Sequence, residues 1–300
     1  MDRVEAMGIF VAVVETGSFS GASRKLDLSL ATVSRKVADL EDHLKTRLLT
    51  RSTRKIAVTE AGQNFLVASR QILEQIEEAE RAAAGEFSAP RGDLTLTAPV
   101  CFGRLHVGPV IHDFLATFPE INIKLILSDR NLHLIDDHVD LAIRIGALPD
   151  SAMMATRLGS VRHILCGSLA YFAGRGEPNT PGDLEGHACI TFDALDSPKS
   201  WTFCNEGKLL EQPVRSRYVV DGAWAAIDAA AANLGVARVL SYQAEAAIQS
   251  GAVKEILADY APDPLPVNFV YAGQGLIPIK TRCFIEYAAP RIRKSLAAAK

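Results

Sequence analysis

The sequence has no excess of charge of either sign. Its 32 Lys and Arg against 35 Asp and Glu leave a formal net charge of −3, which excludes a uniformly basic nucleic-acid coat. Cysteine is scarce: Cys101, Cys166, Cys189, Cys204 and Cys283 are the only five. The number is odd and no two stand at C-x-x-C or metal-site spacing, so buried reduced thiols are expected, and the 48% hydrophobic share excludes a small disulfide-stapled module. The seven histidines are scattered. His133 and His138 lie five apart, off the i, i+4 spacing of a shared helical metal site, so no metal is expected. No apolar run is long and uninterrupted enough for a signal peptide or a membrane span, which points to a cytoplasmic protein with no membrane partner. A nucleophile elbow, a Gly-rich phosphate loop and a paired-carboxylate motif are all missing, and Gly174-x-Gly176 lacks the rest of a dinucleotide fingerprint. No catalytic residue is therefore assigned, no cofactor is expected, and an enzyme is the weaker reading. A transporter's solute-binding protein would need the secretion signal that is absent.

What is present is enough apolar residue, 48% of 300, for more than one core, and the length suggests two domains. Charge is unevenly spread. Residues 1–60 hold ten basic and eight acidic side chains, and Arg24–Lys55 alone holds nine and four. A basic block in an acidic protein suggests one surface that meets an anion.

Residues 2–16 place Val4, Met7, Phe10, Val11, Val13 and Val14 at helical spacing, and Gly17 ends that helix. Ser18 or Ser20 can cap a short second helix. After the turn Asp27-Leu28-Ser29, a third helix buries Val33, Val37, Leu40 and Leu44 and shows Thr32, Arg35, Lys36 and Asp39 on its other face. Residues 48–58 read as a small hairpin around a basic turn. Two helices across a tight turn followed by a wing suit the major groove of a duplex. Ser29, Thr32, Ser34, Arg35 and Lys36 are the candidate contacts at the third helix, and Arg51, Ser52, Thr53 and Arg54 at the wing. The bland alternative is a small helical bundle with a solvated charged face.

A long helix opens at Thr59-Glu60-Ala61-Gly62 and runs to about Gly85. Phe65, Ser69, Ile72, Ile76, Ala79 and Ala83 recur on it at 4-3-4-3-4 spacing, a heptad seam that predicts self-association through Phe65, Ile72, Ile76, Ala79 and Ala83 unless it packs on its own domain. Ser88–Asp93 is a linker by composition. Beyond it strands and helices alternate: strand Leu94–Ala98, helix Leu105–Phe118, strand Ile121–Leu127, helix Leu132–His138, strand Leu141–Ile145. A second α/β segment follows from Ile164, and the chain closes with strand Val267–Tyr271 and helix Lys280–Ala297. The fold class is α/β, multi-domain.

Phe10-Val11-Ala12-Val13-Val14-Glu15-Thr16-Gly17-Ser18-Phe19-Ser20-Gly21-Ala22, Val33-Ser34-Arg35, Leu40-Glu41, Leu48–Arg54 and Thr59–Gly62 form a dense pattern over about 65 positions. It resembles the LysR-type transcriptional regulators. A weaker match continues through Arg91-Gly92-Asp93-Leu94, Phe118-Pro119 and Asp140-Leu141-Ala142-Ile143-Arg144. The resemblance implies a winged helix-turn-helix over 1–60, a dimerising linker helix over 61–87, a hinge over 88–92 and an effector-binding domain over 93–300. That last domain would resemble a periplasmic binding protein, with one lobe over 93–162 and 267–300 and the other over 163–266. The implied partners are double-stranded DNA carrying an interrupted palindrome, a small-molecule effector, and further copies of the chain as a homodimer and homotetramer. RNA polymerase is a further candidate.

Ligands of open α/β sheets sit beyond the carboxyl ends of strands. The candidate effector contacts are Thr97, Pro99, Val100, Cys101, Phe102, Ser128, Arg144 and Gly146 from the first lobe, and Cys166, Phe203 and Asp221 from the second. Arg144 has an equal claim to a structural ion pair, and Asp221 to a helix cap. Many relatives carry Ser or Thr after the first strand to grip a carboxylate. Here the stretch is Ala98-Pro99-Val100, so a neutral or aromatic effector fits as well as an acidic one. A thiol switch would need an exposed, acidified thiol with a resolving partner, and the sequence identifies no such pair.

Overall fold

The computed structural model describes residues 2–51, 56–83, 89–130, 132, 134, 137–148, 153–192, 199–272 and 277–298. The chain falls into two compact units, Met1–Ala89 and Pro90–Lys300, and each is considered by itself.

In the first unit, helix α1 (Arg3–Thr16) starts on Asp2, whose carboxylate accepts from the amides of Val4 and Glu5. It stops at Gly17 in the left-handed region at φ +65°, a conformation that suits glycine. The Ser18 hydroxyl caps α2 (Phe19–Leu26) and the Ser29 hydroxyl caps α3 (Leu30–Leu44). The hairpin β1 (Leu49–Arg51) and β2 (Ile56–Val58) pairs antiparallel, Leu49 opposite Val58. Helix α4 (Glu60–Ala83) follows. Phe10, Val13, Val33, Val37, Leu40, Leu48 and Leu66 share one core. Thus the first turns of α4 belong to this unit. Phe65 packs its ring 5.8 Å from that of Phe10. A Cβ on Gly62 would lie 2.0 Å from the Leu48 carbonyl oxygen, so only glycine lets α4 approach the wing so closely.

Glu41 is a charged side chain inside this core. Its carboxylate accepts from the amides of Leu48 (2.8 Å) and Leu49 (3.0 Å) and from Arg47 (2.9 Å). Burial pushes its pKa up, but the Leu49, Arg47 and Leu48 hydrogen bonds outweigh this and hold it below the ordinary carboxylate value. The end of α3 is thereby tied to the start of the wing.

The second unit contains two five-stranded sheets. The first is ordered β4-β3-β5-β14-β6, from β3 (Gly92–Ala98), β4 (Ile121–Leu127), β5 (Leu141–Ile145), β6 (Met153–Val161) and β14 (Leu265–Ala272). Strand β3 is parallel to β4 and β5, whereas β14 runs antiparallel to β5 and β6. Helical chain leads off β3 as α5 (Val100–Phe102), a π-turn (Gly103–Val107) and α6 (Gly108–Thr117). The second sheet is ordered β11-β8-β12-β7-β13, from β7 (His163–Gly167), β8 (Cys189–Phe192), β11 (Ser216–Val220), β12 (Val236–Leu240) and β13 (Lys254–Ile256). Strands β8, β11 and β12 are parallel, β7 runs antiparallel to β12, and β13 runs antiparallel to β7 and so shares the direction of the first three. Helix α7 (Leu169–Arg175) follows β7, and a hairpin of β9 (Ser200–Asn205) and β10 (Lys208–Pro213) stands apart from both sheets. Helices α8 (Ala223–Ala231) and α9 (Ser241–Gln249) precede and follow β12, and α10 (Ile279–Ala298) ends the described chain.

The helix expected over Leu132–His138 lies partly outside the described residues. Leu132, Leu134, Asp137 and His138 are described and are not helical; His138 has φ +54°. Strand β6 was not expected from periodicity, because the neighbouring residues Met154 and Ala155 are both exposed and both apolar, which breaks the alternation of a half-buried strand.

His163 is buried with neither ring nitrogen hydrogen-bonded, and burial together with the nearby Arg238 charge lowers its pKa to about 4. The unfolded chain binds a proton near pH 6.5 that the folded chain refuses until about pH 4. This share of stability is full above pH 6.5 and falls as the pH drops toward 4, by about 3 kcal/mol in all. Denaturant titrations should show the loss, and His163→Leu should remove most of it. Glu41→Ala should destabilise the first unit by about 1–3 kcal/mol for each amide left without an acceptor, read as a lowered midpoint in chemical unfolding.

Candidate DNA-binding face and effector cleft

On α3, the residues opposite the buried Val33–Val37–Leu40 stripe are small or cationic. Ala31, Ser34, Arg35 and Ala38 fall at i, i+3, i+4 and i+7 and, with Glu41, Arg47, Leu49 and Thr50, line an open hollow. Small side chains let another surface approach the helix, and alanine suits contact with a thymine methyl. Arg35 is exposed along this face. The expected contacts divide around it. Ser29 and Thr32 are engaged with each other at the helix start, the Ser29 hydroxyl accepting from the Thr32 amide at 3.1 Å. Lys36 is paired with Glu5 of α1 and braces the two helices. The side chain of Arg51, and Ser52, Thr53 and Arg54, lie outside the described residues. Ala31, Ala38, Arg47 and Thr50 were not anticipated. The Ala31–Ala38 spacing, one heptad along a polar face, was the available signal.

Along α4, Phe65 is turned to its own core, whereas Ile72 is exposed, Ile76 half-buried and Ala79 exposed. The side chain of Ala83 lies outside the described residues.

The second unit contains a cavity of about 110 Å³ between its two sheets, lined by Thr97, Ala98, Pro99, Ser128, Asp129, Ile143, Arg144 and Ile145 from one side and Phe192, Leu240, Tyr242 and Gln243 from the other. Its walls are strand ends. Parallel β3 and β5 deliver Ala98 and Ile145, and parallel β8 and β12 deliver Phe192 and Leu240, all at or near their carboxyl termini. Thr97 donates its hydroxyl to the Ile126 carbonyl (3.0 Å), Ser128 to the Arg130 carbonyl (3.0 Å), and Arg144 to the Leu132 carbonyl. Asp129 accepts from the Val100 amide at 3.0 Å. Burial raises the Asp129 pKa, and the carboxylate of Asp221 adds to the rise.

Of the expected effector residues, Thr97, Pro99, Ser128 and Arg144 line the cavity, and Val100 joins through its amide. Cys101 lies beside it, half-buried and packed against the cores of both sheets. Burial and the neighbouring Asp129 push its thiol pKa up, the opposite of a reactive thiolate. Phe102 is fully buried and stacks on His106 and Tyr242. Gly146 turns the chain after β5 at φ +108° and is not among the lining residues. Asp221 borders a separate shallow hollow beside Trp224.

Two expected contacts are corrected. Cys166 is fully buried opposite Ala237, near the start of β12, because β7 runs antiparallel to β12 and its carboxyl end points away from the cavity. Phe203 belongs to β9 and packs with Trp201 and Leu165 in a core of its own, with the Arg238 guanidinium 6.0 Å from its ring. Asp129, Ile143, Phe192, Leu240, Tyr242 and Gln243 were missed. Tyr242 and Gln243 follow a strand end into a helix start, the same signal that marked Pro99 and Val100. Among the described residues no three His, Cys, Asp or Glu are grouped to hold a metal ion.

Residues 4–63 match the bacterial regulatory helix-turn-helix protein family, lysR type, and residues 88–293 match the LysR substrate binding domain. The chain belongs to the LysR family of transcriptional regulators. An HTH-type transcriptional regulator of Xanthomonas campestris pv. campestris (strain 8004) is 36% identical over 288 residues, covering 95% of this chain and 84% of that one. An HTH-type transcriptional repressor of Pseudomonas aeruginosa (strain UCBPP-PA14) is 32% identical, covering 96% and 91%. The solved structure of CrgA, a LysR-type regulator from Neisseria meningitidis, is similar at a TM-score of 0.62 and 27% identity, covering 96% and 98%. Accordingly the chain is a DNA-binding transcriptional regulator with a small-molecule effector domain, not an enzyme. No helix among the described residues is long and apolar enough to cross a membrane.

Arg35→Ala should weaken sequence-specific duplex binding by about 1–3 kcal/mol. Fluorescence anisotropy with a specific and a scrambled duplex should show the specific complex losing more than the scrambled one.

Proposed function

We propose that the face of α3 bearing Ala31, Ser34, Arg35 and Ala38 enters the major groove of an interrupted palindrome, and that the cavity between the two sheets of the second unit is the effector site. The observation that carries this is the pairing of a small, cationic helix face with a cavity built from the carboxyl ends of four parallel strands. Thr97, Pro99, Ser128 and Arg144 contact the effector in this reading, with Asp129, Tyr242 and Gln243 added to them. The winged helix-turn-helix spans about 1–60, the linker helix 61–87 and the hinge 88–92. The two lobes are 93–162 with 267–300, and 163–266. The chain works in the cytoplasm, where its DNA is, as a homodimer through Ile72, Ile76 and Ala79 and then as a homotetramer, and RNA polymerase is a further partner.

Selection of bound duplexes from a random pool, followed by titration at several salt concentrations, tests the DNA half. A steep negative salt slope on one interrupted palindrome is the expected outcome. Weak, sequence-blind binding would oppose it. In sedimentation, Ile72→Asp combined with Ile76→Asp should yield a smaller species than the wild type at equal concentration. An unchanged assembly would remove the α4 seam from the account.

A further inference from the structure

The cavity between the sheets offers no uncommitted amide at Pro99, Val100 or Leu240 and holds a carboxylate with acceptor capacity to spare. Pro99 brings no amide hydrogen to the wall. The next amide, of Val100, already donates to Asp129. The hydroxyls of Thr97 and Ser128 donate to backbone carbonyls, the Leu240 amide donates to the Gln243 side chain (2.8 Å), and the Gln243 amide group donates to the Tyr242 hydroxyl (3.4 Å). Arg144, the cation of the lining, is engaged with the Leu132 carbonyl. An ionised carboxylate has about four acceptor positions, and the Val100 amide fills one of those on Asp129. Asp221 adds negative potential at Asp129, which is half-buried.

We propose that Asp129 stands where a ligand carboxylate would otherwise meet the Val100 amide, and that the cavity selects an effector carrying a planar, donor-rich group, amidinium or guanidinium before amide, over a carboxylate. This rests on the cavity being the effector site. An incoming carboxylate would find Asp129 repelling it and the Val100 and Leu240 amides committed, so that Arg144, itself donating to the Leu132 carbonyl, would have to offset that repulsion. An amidinium group would pair with Asp129 and relieve the cost of its burial. The volume of about 110 Å³ limits the recognised group to a handful of heavy atoms unless the sheets part.

The test uses three planar probes of one shape: acetamidinium, acetamide and acetate. Saturation-transfer NMR on the full-length protein at fixed ionic strength ranks their Kd values. The expected order is acetamidinium tightest, at least tenfold tighter than acetate, with acetamide between. Asp129→Asn, which keeps an acceptor for the Val100 amide, should collapse the tenfold preference to less than threefold. Acetate binding as well as acetamidinium, no binding by any probe, or a preference unchanged in D129N would each overturn the proposal. The wild-type ranking decides even if the variant does not fold. Ser128→Trp, at a half-buried residue of the lining, places a bulky ring at the cavity and separates the two readings. If acetate binds the wild type and S128W abolishes it, the site stands and the selectivity falls. If the acetamidinium preference survives S128W, the cavity is not the site and both fall.

Discussion

The parallel pairing of β3 with β5 and of β8 with β12 fixes where the larger unit can hold a ligand. A parallel ladder puts all its carboxyl ends at one edge, and the chain must leave each end there through a turn into a helix or loop. In this chain the edges of the two sheets meet. Ala98, Ile145, Phe192 and Leu240 become walls of one cavity, although they lie far apart in sequence. The remaining lining residues follow from them. Ser128 and Asp129 leave β4, the parallel neighbour of β3, and Tyr242 and Gln243 open α9 directly after β12. Tyr242 also packs edge-on against Phe102 at 5.4 Å, so that one residue after β12 joins the core of the other sheet. The cavity wall and the contact between the sheets therefore share side chains, and a ligand that alters the first also acts on the second.

The smaller unit relies on a different device. Its three helices and wing are small, and its core includes a carboxylate as well as apolar side chains. Glu41 satisfies two consecutive amides at the start of the wing and receives Arg47 from outside. The exposed face of α3 and the strand that begins at Leu49 are thus held in one arrangement, which a recognition surface needs more than it needs stability. On the other side of the wing, the close contact of Gly62 with Leu48 and the Thr59 hydroxyl, which donates to the Arg47 carbonyl at 2.7 Å, place the start of α4.

The first unit was largely legible in the sequence because its signals are local. Of the two candidates Ser18 and Ser20 it is Ser18 that caps α2, Ser29 caps α3, and of the expected stripe Val33, Val37 and Leu40 are buried while Leu44 is half-buried. Glu41 was not legible as an anchor, since an acid in a charged stretch reads as surface until the wing folds back on it. The cavity was legible on one side. Thr97, Pro99, Ser128 and Arg144 follow from strand ends in the first sheet, where β3, β4 and β5 are parallel. Cys166 failed because strand direction in the second sheet is a property of pairing, and β7 runs against β12. Phe203 failed because an apolar strand residue gives no sign of which core it will enter. The seam of α4 was read with Phe65 as a member, but the nearest apolar surface for Phe65 is Phe10 in its own domain.

In the complex we propose, the small-residue face of α3 lies against duplex DNA. Placing a benzoylphenylalanine photocrosslinker at Ala38, and in a second protein at Asp113 on α6, tests it most directly. Crosslinks from position 38 to bases of the selected duplex, and none from position 113, are the expected outcome. Crosslinking from position 113, with none from position 38, would contradict it.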